Sequence, residues 1–168
     1  MMNTIKNLPL ITVRENFCFF WHQWCPFSLD HQLAPFEVKG LVFESLRQYL
    51  VFAKAKIYNS PLAEQVIVTS DPAQLETLSN NIKIPDQSDW QQRMISLVTT
   101  GLRFKLQQHA ALSLALADTR NLNIAYASEE DNFWGIGLKP MDHRALNKAE
   151  WVGKNHLGNI LMYLRSNH

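Results

Sequence analysis

The sequence predicts an α+β fold, a single mostly helical domain with a small sheet. Two features support this class. Several long segments place apolar residues at helical spacing, and a few short runs of aromatic and branched residues are typical of strands. The chain has 168 residues, of which 46% are apolar and 18% charged, and it contains no internal repeat or Gly/Ser linker. This length and composition suit one folded domain with a sizeable core.

Strands are predicted at three places. Residues 17–21 (FCFFW), 36–42 (FEVKGLV) and 123–127 (NIAYA) are rich in aromatic and branched side chains. The turn-rich stretch CPFSLDHQLAP joins the first two strands as a loop. We assign residues 1–16 to an N-terminal extension and residues 17–168 to the domain.

A buried helix is predicted over residues 43–58 (FESLRQYLVFAKAKIY). One face of this helix collects Leu46, Tyr49, Leu50, Ala53 and Ile57. The opposite face collects Glu44, Arg47 and Lys54. Because Arg47 and Lys54 are seven residues apart, they point the same way and are candidates for holding one anionic ligand.

Capping residues predict where the later helices begin. The capping groups are Ser60 with Pro61, Asp71 with Pro72 and Gln74, and Ser88 with Gln91. The last of these precedes a long helix over 89–107, and HAALSLALAD (109–118) is a further helix. Asn155 is expected to cap a final helix. Its core stripe is Leu157, Ile160, Leu161 and Leu164.

Several classes of protein are excluded by composition and missing motifs. A net charge of +1 argues against nonspecific nucleic-acid binding, and no apolar run approaches the length of a membrane helix. The N-terminus is a poor signal peptide, so we expect a cytoplasmic protein in which Cys18 and Cys25 are buried free thiols. No histidine pair has metal-ligand spacing, and no P-loop, GxSxG or GxGxxG motif is present. We therefore expect neither a metal nor a cofactor.

The residues alone leave the chemistry open. DNFWGIG places Asp131 three residues before Trp134, followed by glycines that allow a close backbone approach to a ligand. The same pattern also suits a tight turn with a core tryptophan. Trp90 suits a core position as well as a stacking platform, and Lys54 and Arg93 suit a solvated surface.

A set of short motifs nevertheless occurs in a characteristic order over about residues 17–166. These are Phe19-Phe20-Trp21, Pro26-Phe27-Ser28, Val38-Lys39-Gly40, Ser45 to Tyr49, Lys54-Ala55, Asp89-Trp90, Arg93, Lys105, Asp131 to Gly137, Gly153 to Gly158, Leu161-Met162 and Arg165. Together they resemble the NADAR family, the YbiA-like N-glycosidases. The resemblance implies the NADAR α+β fold.

The resemblance also implies a reaction. Such proteins hydrolyse N-glycosidic bonds between a phosphorylated ribose and a base or amine, in riboflavin-pathway ribosylamino intermediates or in ADP-ribose attached to guanine. The implied partner is a ribose-phosphate or ADP-ribose-like small molecule, or ADP-ribosylated nucleic acid. An oxocarbenium-like sugar forms in such cleavage, so a carboxylate near C1 is needed. The implied substrate-binding residues are Phe20, Arg47, Tyr49, Lys54, Trp90, Trp134, Gly135 and Asn155.

Arg47 departs from the family pattern, whose S-x-E-Q-Y motif has a catalytic glutamate at this position. Three explanations stay open. Arg47 lies on a solvated face and pairs with Glu44, or Glu44 has taken over as the catalytic partner of Asp131. Alternatively, hydrolysis was lost and Arg47 with Lys54 binds a phosphate, which makes the protein a binding or sensor module. In that case Arg47→Glu is expected to create activity. A second departure is Tyr126, where relatives usually have an acid.

Overall fold

The computed structural model describes residues 10–58 and 60–167, so residues 1–9, Asn59 and His168 lie outside the described residues. The strands are β1 (Ile11–Arg14), β2 (Phe17–Phe20), β3 (Phe36–Val38), β4 (Leu41–Phe43) and β5 (Asn123–Tyr126). The helices are α1 (Leu46–Ile57), α2 (Ala63–Ile67), α3 (Pro72–Asn81), α4 (Gln87–Gln108), α5 (Ala110–Asp118) and α6 (His156–Ser166). Two 3-10 turns, His143–Leu146 and Lys148–Glu150, precede α6. The predicted α+β class with a helical majority is confirmed.

The described chain divides into two units. The first contains residues up to 28 together with those from 110 onward, and the second contains residues 29–109. In the first unit β2 pairs antiparallel with β1 and parallel with β5, in the order β1-β2-β5. Strand β1 lies within the stretch that the sequence analysis assigned to an extension. The unit's core cluster is Phe17, Phe19, Ala125, Ala127, Ile136, Leu138 and Ala145.

Helix α6 packs against β5 in this first unit. The predicted stripe of Leu157, Ile160, Leu161 and Leu164 is buried, which confirms it. Gly158 is needed for this contact, because a Cβ at this position would come within 2.3 Å of the Ile124 carbonyl oxygen. Cys18 and Cys25 are buried free thiols as predicted, and burial raises the pKa of each to about 12.

The second unit contains a hairpin that the sequence analysis read as one strand. Residues 36–42 form parts of two strands, β3 and β4, because Lys39 and Gly40 reverse the chain with φ angles of 52° and 81°. Phe43 ends β4, so α1 begins at Leu46 rather than at Phe43. Ser45 caps α1 by accepting a hydrogen bond from the Gln48 amide.

Two of the predicted helix starts were placed wrongly and one is confirmed. Asp71 caps α3 as predicted, with its side chain accepting from the Gln74 amide. The cap of α4 is Asp86 and not Ser88, because the Asp86 carboxylate accepts from the Ser88 and Asp89 amides. Helix α2 starts at Ala63, three residues after Ser60. Among the described residues, no helix combines the length and apolarity needed to cross a membrane.

Candidate functional site

Lys54 extends from the C-terminal half of α1 towards the end of α3. Its ammonium donates to the Ser79 carbonyl oxygen at 2.6 Å and to the Ser79 hydroxyl at 3.1 Å. The same ammonium lies 5.6 Å from the ring centroid of Trp90. Lys54 is only 5% exposed, and burial lowers its pKa. It is therefore not a solvated lysine, unlike Arg93, which is half exposed and paired with Asp89 at 2.5 Å.

Trp90 stands in the first turn of α4 and is 4% exposed. Its ring packs edge-on against Tyr58, with centroids 6.0 Å apart. Lys54 and Trp90 line a largely polar cleft of about 520 Å³. Lys83 also lines this cleft, so two cationic side chains and an indole face one concave space. Such a combination can bind an anionic ligand that carries a ring.

Arg47 makes an ion pair that the sequence analysis did not anticipate. Its Nε and Nη2 donate to the two carboxylate oxygens of Asp30, the second contact being 2.9 Å long. The Arg47 and Asp30 side chains are 35% and 17% exposed. Glu44, the partner considered from the sequence, has an exposed side chain and forms no ion pair among the described residues. The carboxylate beside Arg47 is therefore Asp30.

The neighbours of Arg47 on α1 serve the fold of the second unit. Tyr49 is 8% exposed and packs edge-on against Phe36 and Phe43, with centroids 5.9 and 5.2 Å away. Burial raises the pKa of Tyr49. Gln48 is buried, and its amide nitrogen donates to the carbonyls of Val66, Ile67 and Thr69. Gln48 thus ties α1 to the end of α2, a role that no sequence signal indicated.

The remaining predicted site residues lie in the first unit. Phe20 is fully buried in β2 and stacks on Tyr126, with ring centroids 5.2 Å apart. At Tyr126, where the resemblance implies an acid, this chain has an aromatic contact. Phe20 also packs edge-on against Phe27 at 6.0 Å.

Asp131 organises the DNFWGIG loop. One carboxylate oxygen accepts from the amides of Phe133 at 3.0 Å and Trp134 at 2.7 Å. The other oxygen accepts no hydrogen bond from the described residues. Trp134 is 8% exposed, with its ring perpendicular to that of Phe133. The tight turn with a packed tryptophan is therefore present, and one oxygen of Asp131 takes no part in it.

Asn155 and Gly135 connect this loop to β5 and α6. The Asn155 side chain accepts from the Tyr126 amide at 3.0 Å and donates to the Ile124 carbonyl at 2.9 Å. Asn155 occupies the N-cap position of α6, as predicted, but its side chain bonds to β5 and not to an amide of the helix. A Cβ at Gly135 would lie 2.8 Å from the Asp131 carbonyl oxygen. Here the close backbone approach that the glycine allows is to the chain itself.

The sequence analysis gave no role to two polar residues of the second unit, Lys105 and His31. Lys105 is 1% exposed and donates to the His31 carbonyl at 2.9 Å, and burial lowers its pKa to about 8. Burial, together with the nearby Lys105 and His109, lowers the pKa of His31 to about 4. His31 lies beside Asp30 in the loop that the sequence analysis described only as a connection between two strands. No group of His, Cys, Asp and Glu that could hold a metal occurs among residues 10–58 and 60–167.

Comparison with known proteins gives a consistent picture. A family model described as the NADAR domain matches residues 11–167. N-glycosidase R617 of Acanthamoeba polyphaga mimivirus is 29% identical over 144 residues, which cover 85% of this chain and 84% of that protein. N-glycosidase YbiA of Escherichia coli K12 is 26% identical over 131 residues, covering 78% and 74%. The NMR structure of the E. coli protein YbiA superposes with a TM-score of 0.72 at 21% identity, covering 99% of this chain and 92% of that one, which supports the fold alone.

Proposed function

This chain belongs to the NADAR family, and we propose that it is an N-glycosidase-type hydrolase for a ligand built on ribose phosphate or ADP-ribose. The relatives that carry the name N-glycosidase support the type of reaction. The observation that supports the type of ligand is the cleft in which Lys54 lies over Trp90 with Lys83 nearby. The groups that line this cleft suit a ligand of the kind that such a reaction cleaves.

The cleft has the groups that a phosphorylated sugar with a base requires. An ammonium binds a phosphate as a point charge, and an indole contacts a base or sugar ring. Because Lys54 is buried, an anion beside it would offset the cost of keeping its charge away from water. A volume of about 520 Å³ suits a small ligand of nucleotide size.

The proposed substrates share one bond, the link between C1 of a ribose and a nitrogen. Riboflavin-pathway ribosylamino intermediates and ADP-ribosyl-guanine both contain it, together with at least one phosphate. For an ADP-ribosylated nucleic acid, the net charge of +1 favours recognition of the modification over binding of the polymer. Asp131, which the family resemblance implies as catalytic, has one oxygen outside the turn it stabilises and stays a proposed catalytic carboxylate.

A second candidate function is ligand binding without hydrolysis. The observation that favours it is Arg47, a permanent cation at the position where the family motif has a carboxylate. A binder needs the cations and the ring of the cleft. It does not need a carboxylate near C1.

Calorimetric titration and product analysis test the proposal. Binding is measured with ADP-ribose, NAD, ribose 5-phosphate and riboflavin-pathway intermediates, and release of free base is measured from ADP-ribosyl-guanine and from ribosylamino substrates. Lys54→Met is compared with Lys56→Met, which removes an exposed lysine of the same helix. Binding with base release supports the enzyme, and binding without release supports the binder. If the wild type binds none of these ligands, the proposed function is wrong.

A further inference from the structure

Resting on the proposed function, we propose that Asp30 supplies the carboxylate that position 47 has lost. The motif position on α1 carries Arg47, and the side chain that meets Arg47 is a carboxylate from a loop 17 residues earlier. This negative charge therefore comes from a different position in the sequence. In the folded chain the Asp30 carboxylate is in direct contact with the side chain at the motif position.

Two-point contact fixes the orientation of the Asp30 carboxylate. Both of its oxygens accept from the planar guanidinium, one at 2.9 Å and the other closer. Such charge-assisted forks are geometrically specific as well as strong. Arg47 therefore acts as the positioning residue for Asp30.

The backbone around Asp30 is held on both sides. The Arg47 amide donates to the Leu29 carbonyl at 2.9 Å, and the Lys105 ammonium donates to the His31 carbonyl at 2.9 Å. The flanking side chains, Leu29 and His31, are 4% and 5% exposed. A carboxylate on a loop segment anchored in this way needs little rearrangement during a reaction, which is the requirement for electrostatic catalysis.

Asp30 meets this requirement better than Glu44. The Glu44 side chain is exposed and is in no ion pair among the described residues. No ion pair within the described residues therefore fixes the orientation of the Glu44 carboxylate. Asp30 is half-buried, and the fork to Arg47 holds its orientation.

In the proposed reaction the C1–N bond breaks with its electron pair going to nitrogen, and a water oxygen bonds to C1. The Asp30 carboxylate stabilises the positive charge that develops on the sugar and accepts one proton of the water. That proton is then passed to the departing nitrogen, directly or through solvent. The products are the free base and the ribose with a hydroxyl at C1, so atoms and charge balance.

Variants at positions 30 and 47 test this role. Asp30→Asn removes the carboxylate. This change leaves the Arg47 charge without the Asp30 carboxylate, which could weaken the fold. A second variant, Asp30→Asn/Arg47→Gln, therefore replaces the ion pair by two neutral amides. Asp30→Asn/Arg47→Glu instead puts the carboxylate at the motif position. This double variant avoids the repulsion that Arg47→Glu alone would create against Asp30.

For each variant we measure three quantities: release of base from ADP-ribosyl-guanine, affinity for ADP-ribose, and stability in denaturant melts. Both variants without a carboxylate should lose roughly 100-fold or more in kcat and keep their affinity for ADP-ribose, because general-base and charge stabilisation act on the transition state. Asp30→Asn/Arg47→Glu should regain turnover although the ion pair is gone. A merely structural ion pair would not produce that recovery. Glu44→Gln is the control and should behave like the wild type.

The failures of the two proposals are distinguishable. A wild type that binds no ADP-ribose overturns the proposed function. A wild type that binds ADP-ribose but releases no base overturns the role of Asp30 and favours the binder. Unchanged turnover in Asp30→Asn/Arg47→Gln also overturns it, as does loss of turnover in Glu44→Gln.

Discussion

The ammonium of Lys54 lies 5.6 Å from the ring centroid of Trp90, and the two residues are 5% and 4% exposed. The fold thus keeps a cation away from water against an aromatic face. Burial lowers the pKa of Lys54 for this reason. The ring and the Ser79 oxygens compensate part of the lost hydration.

We expect Lys54→Met to weaken ADP-ribose binding by roughly 1.5–3 kcal/mol, the usual worth of a hydrogen bond to a charged group. Methionine keeps most of the apolar stem, so the change isolates the charge. Calorimetric titration gives the affinity, with Lys56→Met as the matched control. If Lys54→Met lowers the free energy of unfolding but not the affinity, Lys54 only ties α1 to α3.

Trp90 is buried enough to contribute to both folding and binding. Trp90→Ala should lower the free energy of unfolding by about 3–5 kcal/mol, as for other large core truncations. Trp90→Phe keeps an aromatic face and should preserve much of the stability. If Trp90 also stacks on a base, ligand affinity should fall by roughly 1–3 kcal/mol when stacking is lost. Denaturant melts beside titrations of both variants measure the two effects, and an unchanged affinity in Trp90→Ala would restrict Trp90 to the core.

Asn155→Ala should lower the free energy of unfolding by about 2–4 kcal/mol. The change leaves the Tyr126 amide and the Ile124 carbonyl without their side-chain partner, and each such group costs about 1–3 kcal/mol. It also puts alanine at a φ of 53°. Asn155→Gly removes this strain, so its free energy of unfolding should lie between those of Asn155→Ala and the wild type. Asn159→Ala, at an exposed position of α6, is the control in the same urea melts. A loss of affinity without a loss of stability would instead make Asn155 a ligand-binding residue.

Acid should destabilise the protein through His31. Its pKa is about 4 in the folded chain and near 6.5 when unfolded, so the unfolded chain binds more protons between these pH values. The contribution is fully present above pH 6.5 and is lost as the pH falls towards 4, by at most about 1.4 kcal/mol per pH unit. Urea melts at several pH values should show a shallower dependence for His31→Gln. His143→Gln, at a highly exposed site, should keep the wild-type slope.

Local pattern was enough for features that depend on neighbours along the chain. The buried stripe of α6 follows from helical spacing alone, because residues three and four apart share a face whatever the helix packs against. The Asp71 cap was likewise predictable, since its acceptor needs only the amide three residues ahead. At α4 the same logic failed: Asp86 and Ser88 can both cap, and the backbone conformation at Asp86 selects it.

The sequence by itself determined the family, because the order of its short motifs was enough to identify it. Only the tertiary structure decided what each motif residue touches. Lys54 contacts Ser79 and Trp90, and Asn155 sits at the N-cap of its helix with its side chain bonded to β5. The sequence analysis considered Glu44 as the carboxylate partner of Arg47, whereas the fold brings Asp30 to it from 17 positions away. Spacing along a helix records which side chains share a face, whereas the partner of a charge depends on how loops close, and no local pattern encodes that.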